Sequence, residues 1–554
     1  MLDYYDLGTH SCPVSTTIPE AQLWFDRGLN WTYGFNHEEA VVCFNRALEH
    51  DPELAMAFWG IAYATGPNYN MPWSLFDPET RAKALATAYD ATQSAMSLLD
   101  SVTPVERTLI TALTARYPQR DLSDSMTDWD VDFANTMRLA LAEHPNQLDL
   151  RAISAESLLN LTPWKMWDLP SGAPAKGAAT LEVQQILEHA MNDLPDAMKH
   201  PGILHLYVHL MEMAPFPEKA LKAADVLRTL MPDAGHLVHM PTHIDVLCGH
   251  YHNVVFWNQK SVVADLKYYD REGAYNIYTG YRQHNYHFVI YGAMFLGQYE
   301  PAMEAVRGLA DTTPEDMLRI KSPPMADYFE SYMAMAPHVM IRFGRWEDAI
   351  AMALPDDTEL FCTLTASIHY ARAVAYAATG RVKEAEAEEQ VFIAARDRVP
   401  DTRLNHNNRM GDLFEIATEM LRGEIEYRKG NYESAFAHLR RSVEIDDNLP
   451  YDEPWGWMQP TRHALGALLF EQGHVAQAEI VYREDLGLGG NLSRACVHPD
   501  NVWSLKGLHD CLKSRGEVEE RRHIKQRLDL ALSRADVSVA ASCFCAQAAM
   551  GSSV

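Results

Sequence analysis

Between Trp24 and Pro52 the chain spaces its small and aromatic residues as two short helices need if they are to cross closely. Trp24, Gly28 and Trp31 fall on one helical face, Ala40, Phe44 and Ala47 on a second, and Pro52 closes the segment. Steps of three and four residues place side chains on the same side of a helix. Gly28 and Ala40 are small at the crossing, and the aromatics fill the space around them. Asn36 is the turn residue that interrupts the helical run. The pattern returns as Gly423, Ala435 and Leu439 and as Gly466, Ala478 and Tyr482, with Gly430 and Gly473 in the turns. Ala373 and Ala385 give a weaker copy.

A repeat of this kind, about 34 residues long, is the tetratricopeptide signature. No segment alternates like a strand, so the expected fold is all-α: a tetratricopeptide-type α-α superhelix, or solenoid, in which each hairpin buries its apolar face on the next. With 554 residues the chain is too long for one compact core. Proline- and glycine-rich breaks at 66–72, 163–177, 314–324 and 450–460 interrupt the helical periods. The expected organisation is an N-terminal segment (1–18), N-terminal repeats (19–160), central histidine-rich repeats (161–310), C-terminal repeats (311–535) and a flexible small-residue tail (536–554). No apolar run reaches the ~18 residues of a membrane span, and residues 1–13 lack the pattern of a signal peptide. A soluble cytoplasmic protein is the expectation. A formal charge of −28 would repel nucleic acid and anionic membrane. The eight cysteines form no CxxC pair, and Cys543 and Cys545 stand alone in the tail.

Ten of the 24 histidines lie between His200 and His287, where an even spread would place about four. Their register carries more than their number. His205 and His239 are 34 residues apart, as are His209 and His243. The first of these repeats has a helix over about 200–213 and a partner from about 217; the second, a helix over about 235–248 and a partner from about 251. A third helix is expected over about 275–296. Ala220, Val254 and Ala302 pack the second helix of each hairpin onto the first. Fifteen residues before these anchors stand His205, His239 and His287, and eighteen before stand Gly202, His236 and His284. Eleven before stand His209, His243 and Tyr291, and eight before stand Glu212, Val246 and Met294. These rows share the helix face that lines the concave groove of tetratricopeptide domains, on helices about 10 Å apart.

Neutral imidazoles that face one another are favourable around a shared metal ion and repel one another once protonated. The expected metal ligands are His205, His209, His239, His243, His284 and His287, with His236 and Glu212 as ligand, acid–base or supporting groups and Tyr291 as a proton donor. His37 and Glu156 are additional candidates. Imidazole suits copper, iron and zinc alike. Structural zinc normally uses cysteine, and none lies on this face, so copper or iron is favoured over zinc. For His37, in a turn, the plainer reading is a helix cap; for Asn68 and Asn70, turn formation; for Pro163–Trp167, core between repeats. There is no GxxxxGK, GxSxG or HExxH motif.

Taken in order, several segments resemble a family of tetratricopeptide-repeat proteins of bacteria and fungi. They are FNHEEA (35–40), AMAFWG (55–60), GPNYN (66–70), Pro163–Trp167, HPGILHLYVHLME (200–212), GHLVHMPTHI (235–244), HNYHF (284–288), LPYDEP (449–454) and WSLKGL (503–508). The resemblance spans about 24–512 and implies the fold and a histidine site, but no reaction. The residues themselves point first to a metal-dependent oxidoreductase acting on a small, aromatic-type substrate in the groove. A zinc hydrolase or lyase with Glu212 as base is one rival. A non-enzymatic scaffold is another; the lysine and arginine expected in a peptide-carboxylate groove are missing from these rows, and a protein partner is left to the repeat surface.

Overall fold

The computed structural model describes residues 4–490 and 492–546. The described residues are helical almost throughout, with two short two-stranded ribbons, Trp167–Asp168 paired with Ala173–Pro174 and Leu404–Asn405 paired with Asn408–Arg409. Two compact units emerge: residues 1–244 with 260–282, and residues 245–259 with 283–554. No helix among the described residues is long and apolar enough to cross a membrane.

The first unit begins with α1 (Pro19–Tyr33), α2 (His37–His50) and α3 (Ala55–Thr65). The Asn36 side chain accepts from the Glu39 amide and so caps α2. Phe44 is fully buried between the first and third of these helices. A Cβ at Gly28 or at Gly60 would come within 2.6 Å of its ring, so glycine is required on both sides of the aromatic. That is the small-against-aromatic crossing that the first repeat predicts. The unit continues through α4 (Pro78–Met96), α5 (Pro104–Arg116), α6 (Met126–Glu143), α7 (Leu148–Leu159) and α8 (Thr180–Asp193). Thr103 and Glu106 form a reciprocal capping box at the start of α5. The N-terminal segment is tied down: Tyr4 donates to Glu39 and accepts from the Trp31 indole, and Ser15 donates through its amide to Glu106.

The helices that carry the site follow: α9 (Pro201–Met211), α10 (Leu221–Leu227), α11 (Gly235–His239) and α12 (Pro241–Leu247). The helix expected over 235–248 is thus divided at Met240, because Pro241 has no N–H to continue the ladder.

In the second unit, hairpins of the same kind pair Cys362–Ala378 with Val382–Arg396, Met410–Arg428 with Tyr432–Asp447, and Thr461–Glu471 with Val475–Asp485. A Cβ at Gly423 would meet Leu439 at 2.7 Å, and one at Gly466 would meet Tyr482 at 2.6 Å, which repeats the logic of Gly28. Gly430 and Gly473, both at φ +80, make the turns. The small-residue tail is packed as far as Ala546. Arg342 donates to the Ser542 carbonyl, Tyr482 bonds the Ser542 hydroxyl, and Cys543 and Cys545 form a disulfide. Small residues fit under buried polar groups here, which composition reads as looseness. The rest of the tail, 547–554, lies outside the described residues.

Candidate metal centre

In the first unit, five imidazoles and one carboxylate converge. His205, His209 and Glu212 come from α9 and its C-cap, His236 and His239 from α11, and His243 from α12. All six are between 0% and 3% exposed. The phase explains the gathering: on α9, His205, His209 and Glu212 follow at steps of four and three, and on α11 His236 and His239 are three apart.

Hydrogen bonding fixes which ring nitrogens carry protons. His205 Nδ1 lies 2.8 Å from the Tyr33 carbonyl oxygen, which only accepts. His209 Nδ1 lies 3.0 Å from Glu212 Oε1, and His243 Nδ1 lies 2.7 Å from Glu212 Oε2. His205 therefore donates through Nδ1, as do His209 and His243 to the Glu212 carboxylate, and in the neutral imidazole this leaves a lone pair on Nε2. These lone pairs meet further imidazoles: His205 Nε2 is 3.1 Å from His236 Nε2, and His243 Nε2 is 2.7 Å from His239 Nε2. Ligand nitrogens of His205, His209 and His236 all lie within 4.8 Å of one another. A carbonyl or carboxylate behind each ring is the usual second layer of a histidine metal site. Burial, followed by the neighbouring imidazoles, pushes the pKa values of His205 and His236 well below the ordinary range, so both are neutral. The Nδ1 of His236 is buried with no hydrogen-bond partner.

The contact between α9 and α11 runs diagonally. His205 meets His236, three residues before the histidine that shares its place in the repeat.

Aromatic rings wall the cluster. Phe35 lies 4.5 Å from His205 and stacks on His209 and His236 at 5.6 and 5.5 Å. Tyr69 lies 4.6 Å from His209, and Tyr281 lies 4.4 Å from His236. Trp164 packs on Tyr69 at 5.4 Å, and its amide donates to the Tyr69 hydroxyl. Phe35 and Trp164 both hold positive φ, 55° and 53°, where a bulky side chain is strained. Three segments read from sequence as turn or core (Phe35–His37, Gly66–Asn70 and Pro163–Trp167) thus supply the wall. No spacing rule marks Phe35 or Tyr69, because their positions come from loop geometry.

His37, Glu156 and His200 have other surroundings. His37 is the first residue of α2, but Asn36 makes the cap; the His37 Nδ1 pairs with Asn68, and burial lowers its pKa to about 4. Glu156 accepts from the Tyr63 hydroxyl at 2.6 Å and has a pKa raised by burial. His200 accepts the Ile203 amide on Nδ1, so its Nε2 carries the proton that bonds Asp149 at 3.1 Å. With both nitrogens used, His200 offers no lone pair. In the second unit, His284 stacks on His406 at 5.5 Å. His287 Nε2 lies 2.7 Å from the Met458 sulfur, and burial lowers the His287 pKa to about 3. Tyr291 is buried against Phe295 at 4.5 Å. His250 and His252 are exposed.

No family profile matches the chain, and no curated protein matches it. Among solved structures it matches a chain of the APC/C hetero-tetramer Cut9–Hcn1 at 12% identity, with a TM-score of 0.31, over 89% of this chain and 76% of that one. A likeness that slight carries no argument about function.

Proposed function

We propose that the first unit binds a transition metal through the Nε2 atoms of its buried histidines, and that the chain is a metal-dependent oxidoreductase of a small, aromatic-type molecule. The observation that carries this is the backing of the rings: His205, His209 and His243 each set Nδ1 against an oxygen, which in the neutral tautomer turns an Nε2 lone pair inward. An all-imidazole set with no thiolate favours copper or iron over zinc. Such an ion, when bound, would supply one-electron chemistry or polarise a substrate oxygen. The protein's own part is to hold His205 and His236 neutral by burial, orient the rings through Glu212 and Tyr33, and keep water out with Phe35, Tyr69 and Tyr281. Glu212 has an imidazole N–H on each oxygen, which suits an orienting role better than that of a hydrolytic base. The motifs around the cluster are those of the bacterial and fungal repeat family, and membership in it is part of this proposal.

A second reading is favoured by the fold itself: arrays of helical hairpins are extended binding surfaces, which supports a non-enzymatic interaction scaffold for a protein partner. Elemental analysis separates the two. Protein purified without chelator should carry at least one equivalent of copper or iron, diminished in His205→Ala and kept in His252→Ala. Zinc in its place would favour a hydrolase or lyase. No metal, even after reconstitution, would leave the scaffold reading.

A further inference from the structure

We infer that this centre is dinuclear, with one transition-metal ion on His205, His209 and His236, a second on His239 and His243, and Glu212 joining the two. The inference rests on the metal reading above and goes beyond it in number and division of labour.

Nitrogens that share one ion each sit about 2.1 Å from it, so no two of them are more than about 4.2 Å apart. The structure gathers the nitrogens in two groups. Those of His205, His209 and His236 lie within 4.8 Å of one another, so a small side-chain adjustment closes them on one ion. His239 and His243 meet at 2.7 Å, against 3.1 Å for His205 and His236. Between the groups stands Glu212. One of its oxygens holds His209 of the first group at 3.0 Å, and the other holds His243 of the second at 2.7 Å. The His209 and His243 rings are 6.5 Å apart and turned 86° to one another, so Glu212 aims each at its own neighbours. A carboxylate so placed also puts one negative charge between two cations, which offsets part of their repulsion in a buried setting.

Glu212 is therefore a positioning residue for two metal positions at once. The test uses the full-length chain, stripped of metal and titrated with Cu2+ and, separately, with Zn2+. Bound metal is counted after gel filtration, and folding is followed by circular dichroism. The wild type should retain two equivalents, and so should His252→Ala. The double variant His239→Gln/His243→Gln should retain one, and His205→Gln/His209→Gln should lose the other position. Glu212→Gln should weaken both sites, about 10-fold or more each. One equivalent in the wild type overturns the dinuclear centre and leaves the metal reading standing; none overturns both. The wild-type count decides the number by itself, so a variant that fails to fold does not shelter the proposal.

Discussion

Replacing Glu212 with glutamine tests whether this buried carboxylate orients the centre. The side chain keeps its shape, so packing changes little. Its two oxygens now accept from His209 at 3.0 Å and His243 at 2.7 Å, and glutamine can keep only one of those bonds. The other contact becomes N–H against N–H. The imidazole that loses its acceptor recovers a hydrogen bond by moving its proton to Nε2: Nδ1 then accepts the glutamine N–H, and the proton on Nε2 blocks the metal-binding lone pair. Loss of such a supporting group typically costs 10- to 100-fold in metal affinity, about 1.4–2.7 kcal/mol. In the metal-free protein, a buried donor left without a partner costs about 1–3 kcal/mol of stability. Competition with a chelator of known affinity reads the first effect, and urea denaturation of metal-free protein reads the second. Unchanged affinity in folded Glu212→Gln would refute the orienting role. Lost stability with unchanged affinity would make Glu212 a structural residue only.

Three further outcomes follow from the packing. Gly28→Ala should destabilise by about 1–3 kcal/mol, since its Cβ would sit 2.6 Å from the Phe44 ring; an unchanged denaturation midpoint would contradict the crossing described here. Asp485→Ala should cost about 3–5 kcal/mol, because it strips an acceptor from His463, His498, Asn501 and Ser504, all buried; a thermal shift of a degree or less would show that the network is dispensable. Burial holds His338 at about 4 against an ordinary 6.5, so it takes up a proton on unfolding between those values, and its share of stability, full above 6.5, is lost as pH falls. His338→Phe should flatten the stability profile there by up to about 1.4 kcal/mol per pH unit, and a profile parallel to wild type would count against a neutral buried imidazole.

Periodicity made the helical scaffold legible. Gly28 and Phe44, Gly423 and Leu439, and Gly466 and Tyr482 are paired in sequence by a fixed spacing and in space by contact, because a helix converts one into the other. Helical phase likewise brought His205, His209 and Glu212 to one face. Phase says nothing of how two helices slide past each other, so the pairing of His205 with His236 was not legible. Nor was the aromatic wall. Phe35 reaches three imidazoles only because its backbone adopts φ 55, a conformation that sequence assigns to glycine or asparagine. The role of Glu212 was half visible: its place on the face follows from spacing, but its grip on two rings from different helices needs coordinates. The packing of residues 536–546 was not legible, because small residues look the same in a loose end and under a buried arginine.

Metal binding by the buried histidines is tested most directly by a crystal structure of the metal-loaded chain, with anomalous scattering collected at the edge of the ion found. An anomalous peak is expected in the first unit about 2.1 Å from the Nε2 atoms of His205 and His209 and from a ring nitrogen of His236, with Glu212 still on the Nδ1 sides of His209 and His243. A peak liganded through the Nδ1 of His205 or His209, or a loaded protein whose only ions sit on exposed histidines, would contradict the metal reading.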